Sequence, residues 1–232
     1  MTFWQVTMKR SVRLSRSYFV LGIVITVHGI IISNIMSIIP ADSANPAPID
    51  LSNNFPILSV AILSLSSLLF SLPVVMLFVY DKTNGVLEYL LSTGLDQLDI
   101  FKGYVKASLT LATYLLVFAI ILNTAMGFTL GTSLGLLASM AALTFAIGIS
   151  EVFLVTVCMM AFSSLQKTPM GANQPLGVII GIIPMFPALI LPLAFPAQAI
   201  VIDFLIAVIT LLVSLVLLLS TGRLILREKL LP

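Results

Sequence analysis

Residues 107–150 read ASLTLATYLLVFAIILNTAMGFTLGTSLGLLASMAALTFAIGIS, 44 residues without one charged side chain. A helix crossing a bilayer needs about 20 consecutive apolar residues. The run is therefore two spans joined by a tight turn, and Gly131 is the natural turn residue. Working outward, residues 51–80 carry no ionisable group except the Tyr80 phenol, and residues 168–202 carry no charge. Of the 232 residues, 59% are hydrophobic and only 9% charged. A soluble domain carries about 25% charged residues. The chain cannot hide that much apolar surface in a core of its own, so lipid must be its solvent. The sequence predicts an all-α membrane protein.

Six spans follow, near residues 18–39, 56–80, 107–130, 133–162, 176–193 and 202–221. The first follows a basic stretch, as a cleaved leader would. At 22 residues it exceeds the ~7–15 of a signal core, so it reads as permanent. The connection 40–55 contains Asp42, Asp50, Pro40, Pro46 and Pro48 and no Lys or Arg, and the connections at Gly131 and Pro196 are uncharged. The other side collects Lys9, Arg10, Arg13, Arg16, Lys82, Lys102, Lys106, Lys167, Arg223, Arg227 and Lys229, which are all eleven basic residues. Excess Lys and Arg mark the cytoplasmic face. The sequence therefore predicts a multi-pass protein of the cell membrane with both termini cytoplasmic. Residues 1–232 form one domain.

Residues 1–16 form a different element. On a helical wheel Trp4, Met8 and Val12 share one face with Ser11 and Ser15, while Lys9, Arg10, Arg13 and Arg16 spread over the other. This predicts an interfacial helix, with Trp4 at headgroup depth and the cations over anionic lipid. The fifth span is broken by proline. Pro184, Pro187, Pro192 and Pro196 punctuate it, and each proline removes a backbone donor.

The one sizeable charged loop is 81–106, DKTNGVLEYLLSTGLDQLDIFKGYVK. Asn84-Gly85 signals a turn. Leu87, Leu90 and Leu91 then fall at i, i+3 and i+4, one apolar stripe on a short helix. The stripe needs a cover. Lipid, the chain's own helix ends, or the groove of a soluble partner would each serve.

The string Gly85-Val86-Leu87-Glu88-Tyr89-Leu90-Leu91-Ser92-Thr93 resembles the cytoplasmic loop of type-two ABC exporter permeases. Asp81, Gly85, Glu88, Leu90 and Leu91 match that family's pattern. Val86 stands where Ser or Thr is usual, and Gly103-Tyr104 where Gly-Lys is usual. The resemblance implies that Gly85, Leu87, Glu88, Leu90 and Leu91 form a coupling helix between spans two and three, seated in a cleft of an ATPase subunit. It further implies a second permease chain to complete the pore, identical or homologous. This chain needs no cofactor, and ATP and Mg belong to the ATPase. No G-x-x-x-x-G-K-[ST] sequence is present to cradle phosphate.

The remaining polar residues are few. Glu151 falls near mid-membrane, where a carboxylate is costly unless protonated or paired. It is a candidate for the cargo path, or a structural partner of Asn34, Asn123 or His28. His28 and Cys158 are single of their kind and read as packing residues, and Asp203 as a cap of the last helix. One His and one Cys supply no metal cluster. Gly148-Ile149-Ser150-Glu151 lacks the second glycine of a serine nucleophile turn, since Val152 stands there. An enzyme and a nucleic-acid partner are not expected. The competing readings are an ATP-independent transporter or channel, and a membrane scaffold without transport.

Overall fold

The computed structural model describes residues 2–36, 51–161, 190–191, 194–195 and 198–224. Most of the expected fifth span, 176–193, and the cations at 167, 227 and 229 lie outside the described residues. The described residues form seven helices and no strand. They are α1 (Phe3–Leu14), α2 (Arg16–Met36), α3 (Leu51–Thr83), α4 (Val86–Ser92), α5 (Gln97–Thr129), α6 (Leu134–Ala161) and α7 (Ala199–Leu224). Four of them, α2, α5, α6 and α7, are long and apolar enough to cross a membrane.

Helix ends depart from the sequence reading where the loops turn out helical. α5 begins at Gln97, so the polar piece before Gly103 and the span after it are one continuous helix. The sharp turn between α5 and α6 uses Gly131 at φ 80°. Asp203, expected to cap the last helix, lies one turn inside α7, which opens after a turn closed by Gln198 N–H on the Phe195 carbonyl.

The centre of the bundle is α3. It packs against α2, α5 and α6, while α7 packs on α6 and α1 lies across α5 and α3. The solvent of this bundle is legible from its inside-out pattern. On α7, Val201, Phe204, Leu205, Val208, Ile209, Leu212 and Val216 face outward, whereas Asp203, Thr210 and Ser214 face inward. α2 repeats the pattern, with exposed Val20, Leu21, Ile32 and Ile35 and buried Thr26 and Ser33. Water would reverse that choice, because soluble monomers rarely expose large contiguous apolar patches. The chain is a membrane-embedded helical protein.

Polar side chains tie the helices together where lipid offers no alternative. Asn34 donates to Asn123 Oδ1 at 3.1 Å between α2 and α5. Ser108 and Thr156 meet at 2.9 Å between α5 and α6. Ser150 donates to Thr210 at 3.0 Å, and Ser214 to the Ser150 carbonyl at 3.1 Å, between α6 and α7. Such bonds contribute about 0.6 kcal/mol each in membranes, so they orient the helices more than they hold them. Apolar packing supplies the rest, through buried Val74, Phe78, Ile100, Phe101, Tyr104 and Leu111 at one end and Val60, Met140, Leu143, Ile147 and Ile206 elsewhere in the bundle.

Candidate functional site

At the end of the bundle that carries the loop 81–106, α1 and α5 meet α3 at one acid. Asp81 ends the charge-free stretch of α3 and is fully buried. Arg10 of α1 meets it with both guanidinium nitrogens, at 3.0 and 2.8 Å. The Tyr104 hydroxyl of α5 donates to Asp81 Oδ2 at 2.5 Å. A fork-to-fork Arg–carboxylate pair fixes direction as well as distance. Tyr104 itself is held edge-on between Phe3, with ring centroids 5.7 Å apart, and Phe78, at 5.2 Å. Phe3 gets this close because position 103 has no side chain. A Cβ at Gly103 would lie 2.3 Å from the Phe3 ring.

These contacts rotate α1 away from the orientation expected from the wheel. The inward face is Phe3, Thr7 and Ser11, at i, i+4 and i+8, with Met8 at the edge of the core. Val12 is exposed and Trp4 half-buried. The wheel weighed hydrophobicity alone, whereas the Gly103 notch and the Asp81 carboxylate decide the azimuth. Arg10, expected over lipid headgroups, is instead the partner of Asp81. Lys9, Arg13 and Arg16 are exposed. Trp4 lies beneath the Lys106 ammonium, 5.0 Å from its ring centroid. A cation over an indole face is an attractive pair.

α4 follows from its ends. The Asn84 side chain donates back to the Tyr80 carbonyl at 2.8 Å and closes α3. Gly85 then turns the chain at φ 70°, the left-handed region that glycine enters freely. After Ser92 the chain leaves through Gly94 at φ 88°, with Leu95 N–H on the Leu90 carbonyl at 3.4 Å. Glycine at this position is a common helix stop.

The leucine stripe faces the chain's own core. Leu87 is fully buried among Leu77, Phe78, Ile100 and Phe101, and Leu90 and Leu91 are half-buried against the same cluster. Of the three covers open to the stripe, the structure selects the protein's own helix ends. Leu87 is therefore not available to a partner's cleft: removing it from this core would expose its whole side chain, at about 2 kcal/mol. The outward edge of α4 is Glu88, Tyr89 and Ser92, with Tyr89 67% exposed. Sequence reasoning singled out Glu88 but missed Tyr89 and Ser92. The signal was present, since those two lie off the leucine stripe by helical spacing.

Glu151 lies apart from this cap. It is fully buried on α6, and neither carboxylate oxygen has a hydrogen-bond partner among the described residues. The partners weighed from sequence are engaged elsewhere. Asn34 bonds Asn123, and the His28 ring bonds the Val24 carbonyl of its own helix at 3.0 Å. Asp203 shares the condition of Glu151, buried on α7 with both oxygens unpartnered among the described residues. Among those residues, no group of three His, Cys, Asp or Glu is placed to hold a metal ion.

No protein-family model, no curated protein and no solved structure matches the chain.

Proposed function

We propose that the chain is the membrane-spanning permease subunit of an ATP-driven exporter, with α4 as its coupling helix. The observation that carries this reading is the two-sidedness of α4. Its inner edge is locked to α3 and α5 through buried Leu87, while its outer edge, Glu88, Tyr89 and Ser92, is open. A push on that outer edge moves two long helices together, which is the mechanical requirement for coupling a motor to a pore. A helix meant only to close a loop has no need of an exposed Tyr beside an exposed acid.

In this reading the chain has six spans, with the fifth broken by its prolines, and both termini lie on the cytoplasmic side with the basic residues. α1 is the surface helix, its cations Lys9, Arg13 and Arg16 turned to the headgroups. A second permease chain completes the pathway. ATP and Mg are held by a separate ATPase subunit that bears on Glu88 and Tyr89. The Asp81 node ties α1 to the same lever. Glu151 belongs to the cargo path.

The test is gentle extraction of the full chain from native membranes, followed by identification of co-purifying ATPase and measurement of ATP-dependent export. Exchanging Glu88 and Tyr89 together for Ser should release the ATPase while the chain keeps its thermal stability. An ATPase that stays bound and coupled to that variant would sink the coupling role of α4.

A second reading, ion-driven transport without an ATPase, draws on Glu151 and Asp203, since intramembrane carboxylates mark ion and proton paths. Transport that persists without ATP and follows an ion gradient would favour it.

A further inference from the structure

On the outer flank of α5 runs a groove of about 590 Å³, walled by α5 and by Phe153 of α6. Its lining on α5 recurs at helical spacing, through Phe101, Val105, Leu109 and Thr113. Lys102 and Lys106 line its upper half, four residues apart and both exposed, with Leu98 one turn beyond them. Neither forms a salt bridge with a described residue. The groove therefore has a cationic head and an apolar body. Its two threonines do not make that body polar. Thr110 donates to the Lys106 carbonyl and Thr113 to the Leu109 carbonyl, both at 2.7 Å, so each hydroxyl proton is used within the helix.

The part of the groove from Lys102 to Tyr114 covers about 18 Å of helix rise at 1.5 Å per residue, close to the about 15 Å of half of the ~30 Å hydrocarbon core, and Leu98 extends the lining one turn past the lysines. Trp4, packed under Lys106, is the residue type enriched at headgroup level. Two ammonium groups beside an apolar channel complement an amphiphile with an anionic head.

We propose that this groove binds one anionic phospholipid of the leaflet on the lysine side. Its phosphate sits between Lys102 and Lys106, and an acyl chain lies along Val105, Leu109, Thr113 and Phe153. The site requires membrane embedding only, and stands whether or not an ATPase engages α4.

The molecule supplies its own reporter, because Trp4 is the only tryptophan and lies beneath Lys106. The full chain is reconstituted in vesicles containing phosphatidylglycerol or phosphatidylcholine with brominated acyl chains, and quenching of Trp4 is followed against mole fraction. Phosphatidylglycerol should quench at roughly tenfold lower mole fraction, the scale expected of lysines near an anionic surface. Lys102→Gln with Lys106→Gln should abolish that preference, whereas Lys9→Gln with Arg13→Gln should keep it. Thr113→Phe, which obstructs the channel and leaves both lysines, should weaken it several-fold.

Four results overturn the proposal. Equal losses from the two cation pairs would mean diffuse surface attraction. An unaffected Thr113→Phe variant would mean that no chain enters the groove. Displacement by glycerol phosphate as effective as by the lipid would mean a free-phosphate site. A Thr113→Phe variant that changes the oligomeric state would assign the groove to a second copy of the chain and refute the lipid.

Discussion

The cap around Asp81 and the interior of the helical bundle treat buried acids in opposite ways. Asp81 is fully buried and completely engaged, by two guanidinium nitrogens and a phenol. Glu151 and Asp203 are just as buried, and among the described residues they have no partner at all. The interhelical hydroxyls of α6 and α7 are spent on each other and on backbone, Ser150 on Thr210 and Ser214 on the Ser150 carbonyl. At the cap, charge is used to fix geometry. Arg10 reaches Asp81 while remaining 39% exposed, so one member of the pair keeps its water. Within the bundle no such compromise exists, and a buried carboxyl without a hydrogen-bond partner is a standing cost. A residue kept at a cost to stability is a residue to test for function, whereas one that pins helices is a residue to test for stability.

That contrast can be broken by mutation, and the largest effect should come from the cap. Leu87→Ala empties a fully buried site and should cost about 4 kcal/mol, within the range for leucine truncation in a core. Tyr89→Ala, two residues on but exposed, should shift stability by no more than about 0.5 kcal/mol. Unfolding midpoints in detergent measure both, and equal shifts would mean that α4 is not anchored by its inner edge.

Arg10→Met leaves Asp81 with Tyr104 alone. Breaking a buried pair from one side costs about 3–5 kcal/mol, and the low end is expected because the guanidinium is part-exposed. Adding Asp81→Asn, which still accepts from Tyr104, should recover most of the loss. If the double variant is no better than the single, the pair's electrostatics are not what anchors α1.

Gly103→Ala drives a methyl into the Phe3 ring and should cost about 1–3 kcal/mol, as overpacking does. Phe3→Leu in the same chain should relieve it. Failure of that rescue would place the strain elsewhere. The smallest effects belong to the bundle interior. Thr210→Val removes one interhelical hydroxyl and should cost about 0.6 kcal/mol. Glu151→Gln should change stability by no more than about 0.5 kcal/mol, since no described residue bonds either oxygen. A stability drop after Glu151→Gln would reveal a partner for that carboxylate and end its contrast with Asp81.

Much of this was legible from residue order. The limits of α4 are written in Asn84-Gly85 and in Gly94, because a left-handed turn admits few residue types. The α5–α6 hairpin is written in a charge-free run too long for one span. The leucine stripe is legible as a stripe. Its cover was not, because helical spacing tells which side chains share a face and never what that face meets. The Asp81 node was equally hidden. Arg10 and Asp81 are 71 residues apart in the chain, and nothing local to either distinguishes a paired ion from a solvated one. Tyr104 read as a departure from a lysine, and became informative only as the ring that fills the space between Phe3 and Phe78.

The sequence by itself determined the solvent, the hairpin at Gly131 and the limits of α4, since each follows from composition and short-range pattern. The tertiary structure alone decided the orientation of α1, the inward turn of the leucines, and the isolation of Glu151 and Asp203. Those are properties of contacts between helices distant in the chain. A contact depends on which surfaces are brought opposite one another, a matter of shape and of glycine notches such as Gly103, which lets α1 close on α5.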